Sequence, residues 1–184
     1  MTFSVCIFCG SSFGDDPRYT DAARETGVEI ARRGWTLVYG GARVGLMGVV
    51  ANAALDAGGR VVGVVPRFLY EREVGHDGIT SLEIVGSLTE RKLRMGELSD
   101  AFLSLPGGIG TLDELFEAWS WSQLGLQSKP TALLNVAGYY DALVSFIERA
   151  TAAGFVKPQH RQWLSVSDDV GELLDSFRRR SSPP

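Results

Sequence analysis

Residues 106–114 read Pro106-Gly107-Gly108-Ile109-Gly110-Thr111-Leu112-Asp113-Glu114. They follow an apolar run, 101–105, and lead into a segment with helical spacing, which describes a strand, a glycine turn and a helix start. Glycines lack a Cβ, so the chain can turn tightly and a ligand can approach the backbone. The first N–H groups of a helix and the positive end of its dipole favour an anion. The expected guest is a phosphate, cradled by Gly107, Gly108, Gly110 and Thr111. Glu114 follows one helical turn further in. A carboxylate beside a phosphate is repelled by it and is retained only where it acts on the bound molecule. The segment therefore points to a phosphorylated substrate on which chemistry is done.

Two other loops share this character. Cys9-Gly10-Ser11-Ser12 closes the apolar run 4–9 and offers backbone donors at Gly10 and a hydroxyl at Ser11. Gly40-Gly41-Ala42-Arg43-Val44-Gly45-Leu46-Met47-Gly48 follows the run 36–39 and again opens a helix. A dinucleotide fingerprint needs G-x-G-x-x-G after the first strand and an acid ending the second. The second run instead ends Val38-Tyr39-Gly40, which weighs against dinucleotides. No loop holds the lysine of G-x-x-x-x-G-K-[ST], which weighs against triphosphate hydrolysis. Upstream of the third loop, Arg91-Lys92 lies on a helix. Arginine offers a bidentate fork for phosphate or carboxylate, although charges there also read as a solvated face.

These loops need a frame. Apolar, largely β-branched runs recur at 4–9, 36–39, 61–65, 101–105 and 131–135, and 79–85 adds another. Near-continuous apolarity marks strands covered on both faces. Amphipathic segments alternate with them at 17–33, 46–57, 88–98, 111–124, 139–153 and 168–180. The alternation predicts an α/β fold: one doubly wound, Rossmann-like parallel sheet with helices on both faces. In such sheets ligands collect at the carboxyl ends of the strands, where the loops lie.

A chain of 184 residues, 45% hydrophobic, suffices for one well-buried domain, expected over 1–180 with a flexible tail at 181–184. Net charge is −4, and the basic block Arg178-Arg179-Arg180 stands alone near the C-terminus, so no nucleic-acid partner is expected. No apolar run approaches the roughly 20 residues of a membrane span, and Met1-Thr2-Phe3-Ser4 lacks a leader pattern, so a cytoplasmic protein without a membrane partner is expected. Cys6 and Cys9 are i and i+3 on a strand, pointing to opposite faces, and read as buried thiols rather than a redox or zinc pair. His76 and His160 lack triad or metal spacing and read as surface residues. Neither a metal nor a cofactor is expected.

Taken together, Pro106 to Glu114, Glu90-Arg91-Lys92, Gly45-Leu46-Met47-Gly48, Cys9-Gly10-Ser11-Ser12, Arg72-Glu73-Val74 and Trp121 through Asn135 resemble the LONELY GUY family. The resemblance spans nearly the whole chain. It implies cytokinin riboside 5′-monophosphate phosphoribohydrolase activity: hydrolysis of the N-glycosidic bond of an N6-modified AMP to free base and ribose 5-phosphate. The family's older label, "lysine decarboxylase-like", finds no support in these residues, since nothing resembles a pyridoxal-phosphate site.

The resemblance further implies that Arg91 and Glu114 form the catalytic pair and that Glu73 and Lys92 contact substrate. Gly10, Ser11, Gly40, Gly41, Gly107, Gly108, Gly110, Thr111 and Asp113 would complete the nucleotide site. The partner is then a nucleoside monophosphate, and family members of this short type imply a homodimer. Ala42 stands where a third glycine is common, and its Cβ costs about 1 kcal/mol if that backbone is left-handed. Asp113 stands where Glu is common. Two other functions suit the same residues: a general AMP or nucleotide nucleosidase, and a mononucleotide carrier that has no need for Arg91 with Glu114.

Overall fold

The computed structural model describes the backbone of residues 2–181 and the side chains of all of these except 73, 74, 180 and 181. Seven strands form its sheet: β1 (Ser4–Phe8), β2 (Thr36–Tyr39), β3 (Arg60–Pro66), β4 (Ser81–Val85), β5 (Ala101–Ser104), β6 (Thr131–Leu134) and β7 (Leu164–Ser167). Their order is β4-β3-β2-β1-β5-β6-β7, and every pairing is parallel. Order therefore reverses between β1 and β5. The crevice beyond their carboxyl ends is where such sheets take ligands.

The strands are apolar throughout because both faces are covered. Val5 and Ile7 of β1, with Cys9 beyond it, face a core shared with helices α1 (Pro17–Arg32), α2 (Gly45–Asp56) and α8 (Val170–Ser181). Cys6 and Phe8 face the other way, toward Met95 of α4 (Leu88–Glu97) and Ala118 of α5 (Ile109–Gln123). The two thiols are free and buried on opposite faces, and desolvation pushes both above the usual thiol range. A third apolar cluster joins α5 to β6, β7 and α6 (Asp141–Ala152) through Leu115, Trp119, Leu133, Ile147 and Leu164.

Helix starts follow their local chemistry. Asp16 caps α1, its carboxylate accepting from the Arg18 N–H at 2.9 Å, and Pro17 occupies the first turn, where a missing N–H does no harm. Ser87 likewise caps α4, accepting from Glu90 N at 3.1 Å.

The structure adds elements that periodicity does not predict. β7 is one: its four residues carry Ser165 and Ser167, half-buried at the sheet edge, which breaks the apolar run that marks a covered strand. Between β3 and β4 a three-residue turn, α3 (Arg67–Leu69), continues into a π-helical turn, Tyr70–Val74. A short helix α7 (Pro158–Arg161) precedes β7. The expected helix at 139–153 is shorter, because a 3-10 turn at Val136–Gly138 leads into it. His160 is buried rather than at the surface: its ring packs on Trp163, centroids 4.8 Å apart, and its carbonyl accepts from Trp119 Nε1 at 2.9 Å. Residues 182–184 of the expected tail lie outside the described residues.

Candidate active site

The three glycine loops converge at the carboxyl edge of β2, β1 and β5 and are tied through their backbones. Leu46 N donates to Gly10 O, and Gly10 N donates to Pro106 O, each at 3.0 Å. The loop after β6 joins them by side chains: Tyr139 OH donates to Gly107 O and Tyr140 OH to Leu105 O, both at 2.6 Å. Close approach explains Gly107. A Cβ there would collide with the Thr111 side chain and lie 2.8 Å from Gly10 N, so any larger residue would force the first and third loops apart.

Arg91 on α4 and Glu114 on α5 meet under this edge, the Arg91 Nη2 donating to Glu114 Oε1. Glu114 is 7% exposed. Burial raises its pKa above the ordinary carboxylate value, and the Arg91 charge and hydrogen bond oppose that rise. Gly40 makes the arginine's position possible: a Cβ there would stand 3.1 Å from Arg91 Nη2. Among the described residues the buried Arg91 Nε has no hydrogen-bond partner, which leaves a donor for another group.

These residues border a cleft of about 370 Å³. Its polar side is made by Gly10, Ser11, Arg91, Thr111 and Glu114, and its apolar side by Val44, Met47, Leu69 and Ile109. Helix α5 begins here with Gly108 at its N-cap and no side chain closing it. Its first N–H groups and dipole are thus offered to an anion. A Cβ added at Gly108 or Gly110 would meet no atom within 4 Å, so both glycines leave room at that helix end.

The predicted site residues divide into three groups. Gly10, Ser11, Gly40, Arg91, Gly108, Gly110, Thr111 and Glu114 border the cleft together. Gly41 and Gly107 shape it from behind. Gly41 adopts φ +73°, and a Cβ there would press on Val65 and Leu82 at 3.1 Å. The left-handed conformation falls on Gly41, and Ala42 takes an ordinary backbone, pairing with Gly75 in an antiparallel bridge. The substitution at 42 therefore carries no left-handed strain. Lys92 and Asp113 sit beside the cleft and face each other: Lys92 Nζ lies 3.0 Å from both Asp113 Oδ2 and Glu117 Oε2. The Glu73 side chain lies outside the described residues.

Val44, Met47, Leu69 and Ile109 escape a reading by motif, because apolar residues carry no chemistry of their own. Val44 and Ile109 carry one signal, an apolar side chain in a glycine loop that the fold leaves exposed, whereas Met47 also packs on the core and Leu69 comes from the turn after β3. Among the described residues no group of three or more His, Cys, Asp or Glu could hold a metal ion, and no helix is long and apolar enough to cross a membrane.

A doubly wound parallel sheet, an open helix start at its switch point and a buried carboxylate held by arginine in the same cleft define a Rossmann-like protein built for a small anionic ligand. The family model described as "Possible lysine decarboxylase" matches residues 47–177. A cytokinin riboside 5′-monophosphate phosphoribohydrolase of Rhodococcoides fascians is 48% identical over 95% of this chain and 89% of its own. One of Arabidopsis thaliana is 44% identical over 92% of this chain and 80% of its own. A probable one of Oryza sativa subsp. japonica is 48% identical over 92% of this chain and 75% of its own. The chain belongs to this LONELY GUY family.

The fold is shared more widely. A molybdenum cofactor binding protein from Rippkaea orientalis superposes with a TM-score of 0.76 at 21% identity, covering 99% of each chain. A Moco carrier protein from Chlamydomonas reinhardtii does so at 0.72 and 21%, covering 98% of each.

Proposed function

We propose that this protein is a hydrolase of N-glycosyl bonds that releases the base from cytokinin riboside 5′-monophosphates. The carrying observation is the joint placement of Glu114, Arg91 and the open start of α5 on one cleft. The 5′-phosphate takes the free N–H groups of α5 and the Thr111 hydroxyl. Binding energy from this non-reacting group places the ribose over Glu114. Cleavage builds positive charge on the sugar ring, which the ionised Glu114 stabilises while it draws a proton from the attacking water. Water's oxygen bonds to C1′, the bond from C1′ to the base breaks, and the proton that Glu114 takes from water passes to the departing base, which restores the carboxylate. Arg91 keeps Glu114 ionised and aimed. The base and its N6 substituent face Val44, Met47 and Leu69.

The enzyme acts as a cytoplasmic, single-domain homodimer. Leu93 on α4 and Phe116 on α5 remain exposed beside the ion pairs of Lys92, an apolar face that suits a second copy. It requires neither nucleic acid nor a membrane.

The test is chromatography of released base from a panel of compounds: isopentenyladenosine 5′-monophosphate, AMP, and both parent nucleosides. The expected order is the N6-modified monophosphate first, with the nucleosides at least 100-fold slower. Equal turnover of AMP would make the enzyme a general nucleotide nucleosidase. Binding of monophosphates without any release of base would make it a carrier.

A further inference from the structure

The cleft does not end at the glycine loops. On their other side, toward α1, lies a second hollow of about 280 Å³ that shares Gly10, Ser11 and Gly108 with the first. The divide between the two contains Gly10 and Gly107, whose backbones touch: a Cβ on Gly10 would lie 3.4 Å from Gly107 Cα. It is a saddle with the start of α5 at its edge, and the Gly10 N–H within it is donated to Pro106 O.

The far hollow has the chemistry of a nucleoside site. Phe13 stands 56% exposed at its rim, and Tyr19 and Tyr139 form an edge-to-face pair with centroids 5.5 Å apart at 74°. Three rings around a hollow offer stacking and edge contacts to a flat heterocycle. Asp15 contributes the polar group. Its neighbour Asp16 is committed to the Arg18 N–H and guanidinium, whereas the Asp15 carboxylate has no hydrogen bond or ion pair among the described residues. A free carboxylate beside a ring-lined hollow suits the paired hydroxyls of a ribose and repels further phosphate.

We propose that this hollow is a second nucleoside lobe, so that the protein binds nucleotides whose 5′-phosphate is joined through a pyrophosphate to a second base-bearing ribose. The proposal rests on the reading of the first cleft as a nucleotide site. The pyrophosphate crosses the saddle, one nucleoside fills the catalytic cleft, and the second lies against Phe13, Tyr19 and Asp15. The missing acid after β2 does not contradict this. That acid serves a ribose lying over β2, whereas here the second ribose lies on the α1 side and Asp15 serves it.

The experiment measures binding by titration calorimetry of AMP, ADP and P1,P2-di(adenosine-5′) pyrophosphate to the full chain carrying Glu114→Gln, which suppresses turnover. The dinucleotide is expected to bind at least tenfold tighter than ADP, about 1.4 kcal/mol. Phe13→Ala and Asp15→Asn should each remove most of that gain while leaving AMP affinity, and base release by the otherwise wild-type enzyme, within twofold. Both side chains are exposed, so neither change threatens the fold. A dinucleotide no tighter than ADP, or a gain that survives both substitutions, overturns the second lobe. Failure of AMP itself to bind overturns the reading of the first cleft, and the second lobe with it.

Discussion

Arg91 and Glu114 come from different helices, α4 and α5, 23 residues apart, yet share one hydrogen-bonded ion pair beneath the cleft. A buried carboxylate with a single cationic partner is costly to keep unless it is used. Glu114→Gln keeps the shape and removes the charge, and Arg91→Ala removes the partner. Each is expected to lower kcat for base release by about 100-fold or more, the usual scale for losing a positioned acid–base group. Far-ultraviolet circular dichroism should stay that of the wild type. Near-wild-type turnover in either variant would remove the pair from the chemistry.

Activity should report the ionisation of Glu114. Burial raises its pKa above an ordinary value near 4.5, so the active, ionised form is lost at a higher pH than for a free carboxylate. Activity is therefore expected to fall as pH drops through an acid limb lying above 4.5. Arg91 holds that pKa down, so the residual activity of Arg91→Gln should show its acid limb at higher pH than the wild type. The profile of kcat/KM against pH, which reads the free enzyme, checks both statements. An unmoved limb would assign the titration to another group.

Gly110 separates stability from binding. It sits in the first turn of α5, where alanine is the better helix former by up to about 1 kcal/mol, and its added Cβ would meet no protein atom within 4 Å. The space it fills is the room at the helix start. Gly110→Ala should therefore hold or raise the urea midpoint while raising KM for the monophosphate about tenfold or more. An unchanged KM would place the phosphate elsewhere.

The sheet and its loops were legible because their signals are local. Apolar runs and the glycines of the strand-to-helix loops can be read without knowing what packs where, and β1 through β6 follow from them. β7 carries serines at the sheet edge and has no such run. The π-helical turn at Tyr70–Val74 is likewise invisible to a 3.6-residue period. Within the site, the glycines and Glu114 announce themselves, since their chemistry is unusual where they stand. Lys92 illustrates the limit: the family resemblance implies a substrate contact, and only the fold shows that its ammonium lies between Asp113 and Glu117. Which way a long side chain turns is decided by the helix across from it, and spacing does not contain that.

The apolar face of α4 and α5 yields a prediction about assembly. Leu93 is 50% and Phe116 38% exposed, each next in sequence to a member of the Lys92 ion-pair cluster. Phe116→Glu places a charge where a dimer would bury a ring, and light scattering after size exclusion should then give the monomer mass. A wild-type protein that is already monomeric at micromolar concentration would remove the dimer, and a dimeric Phe116→Glu would move its interface to another face.

Tyr140 ties the loop between β6 and α6 to the phosphate loop. Its hydroxyl, buried, donates to the carbonyl of Leu105, the residue before Pro106, at 2.6 Å. Tyr140→Phe preserves the ring and deletes only this bond, leaving the Leu105 carbonyl short of a donor it otherwise has. The expected loss is about 1–2 kcal/mol of unfolding free energy, read from the urea midpoint at constant m-value. Because Leu105 leads directly into the cradle, KM for the monophosphate should rise as well, while the acid limb of the pH profile, which belongs to Glu114, stays where it is. A variant as stable as the wild type would show that water replaces the hydroxyl and that the loop holds its shape without Tyr140.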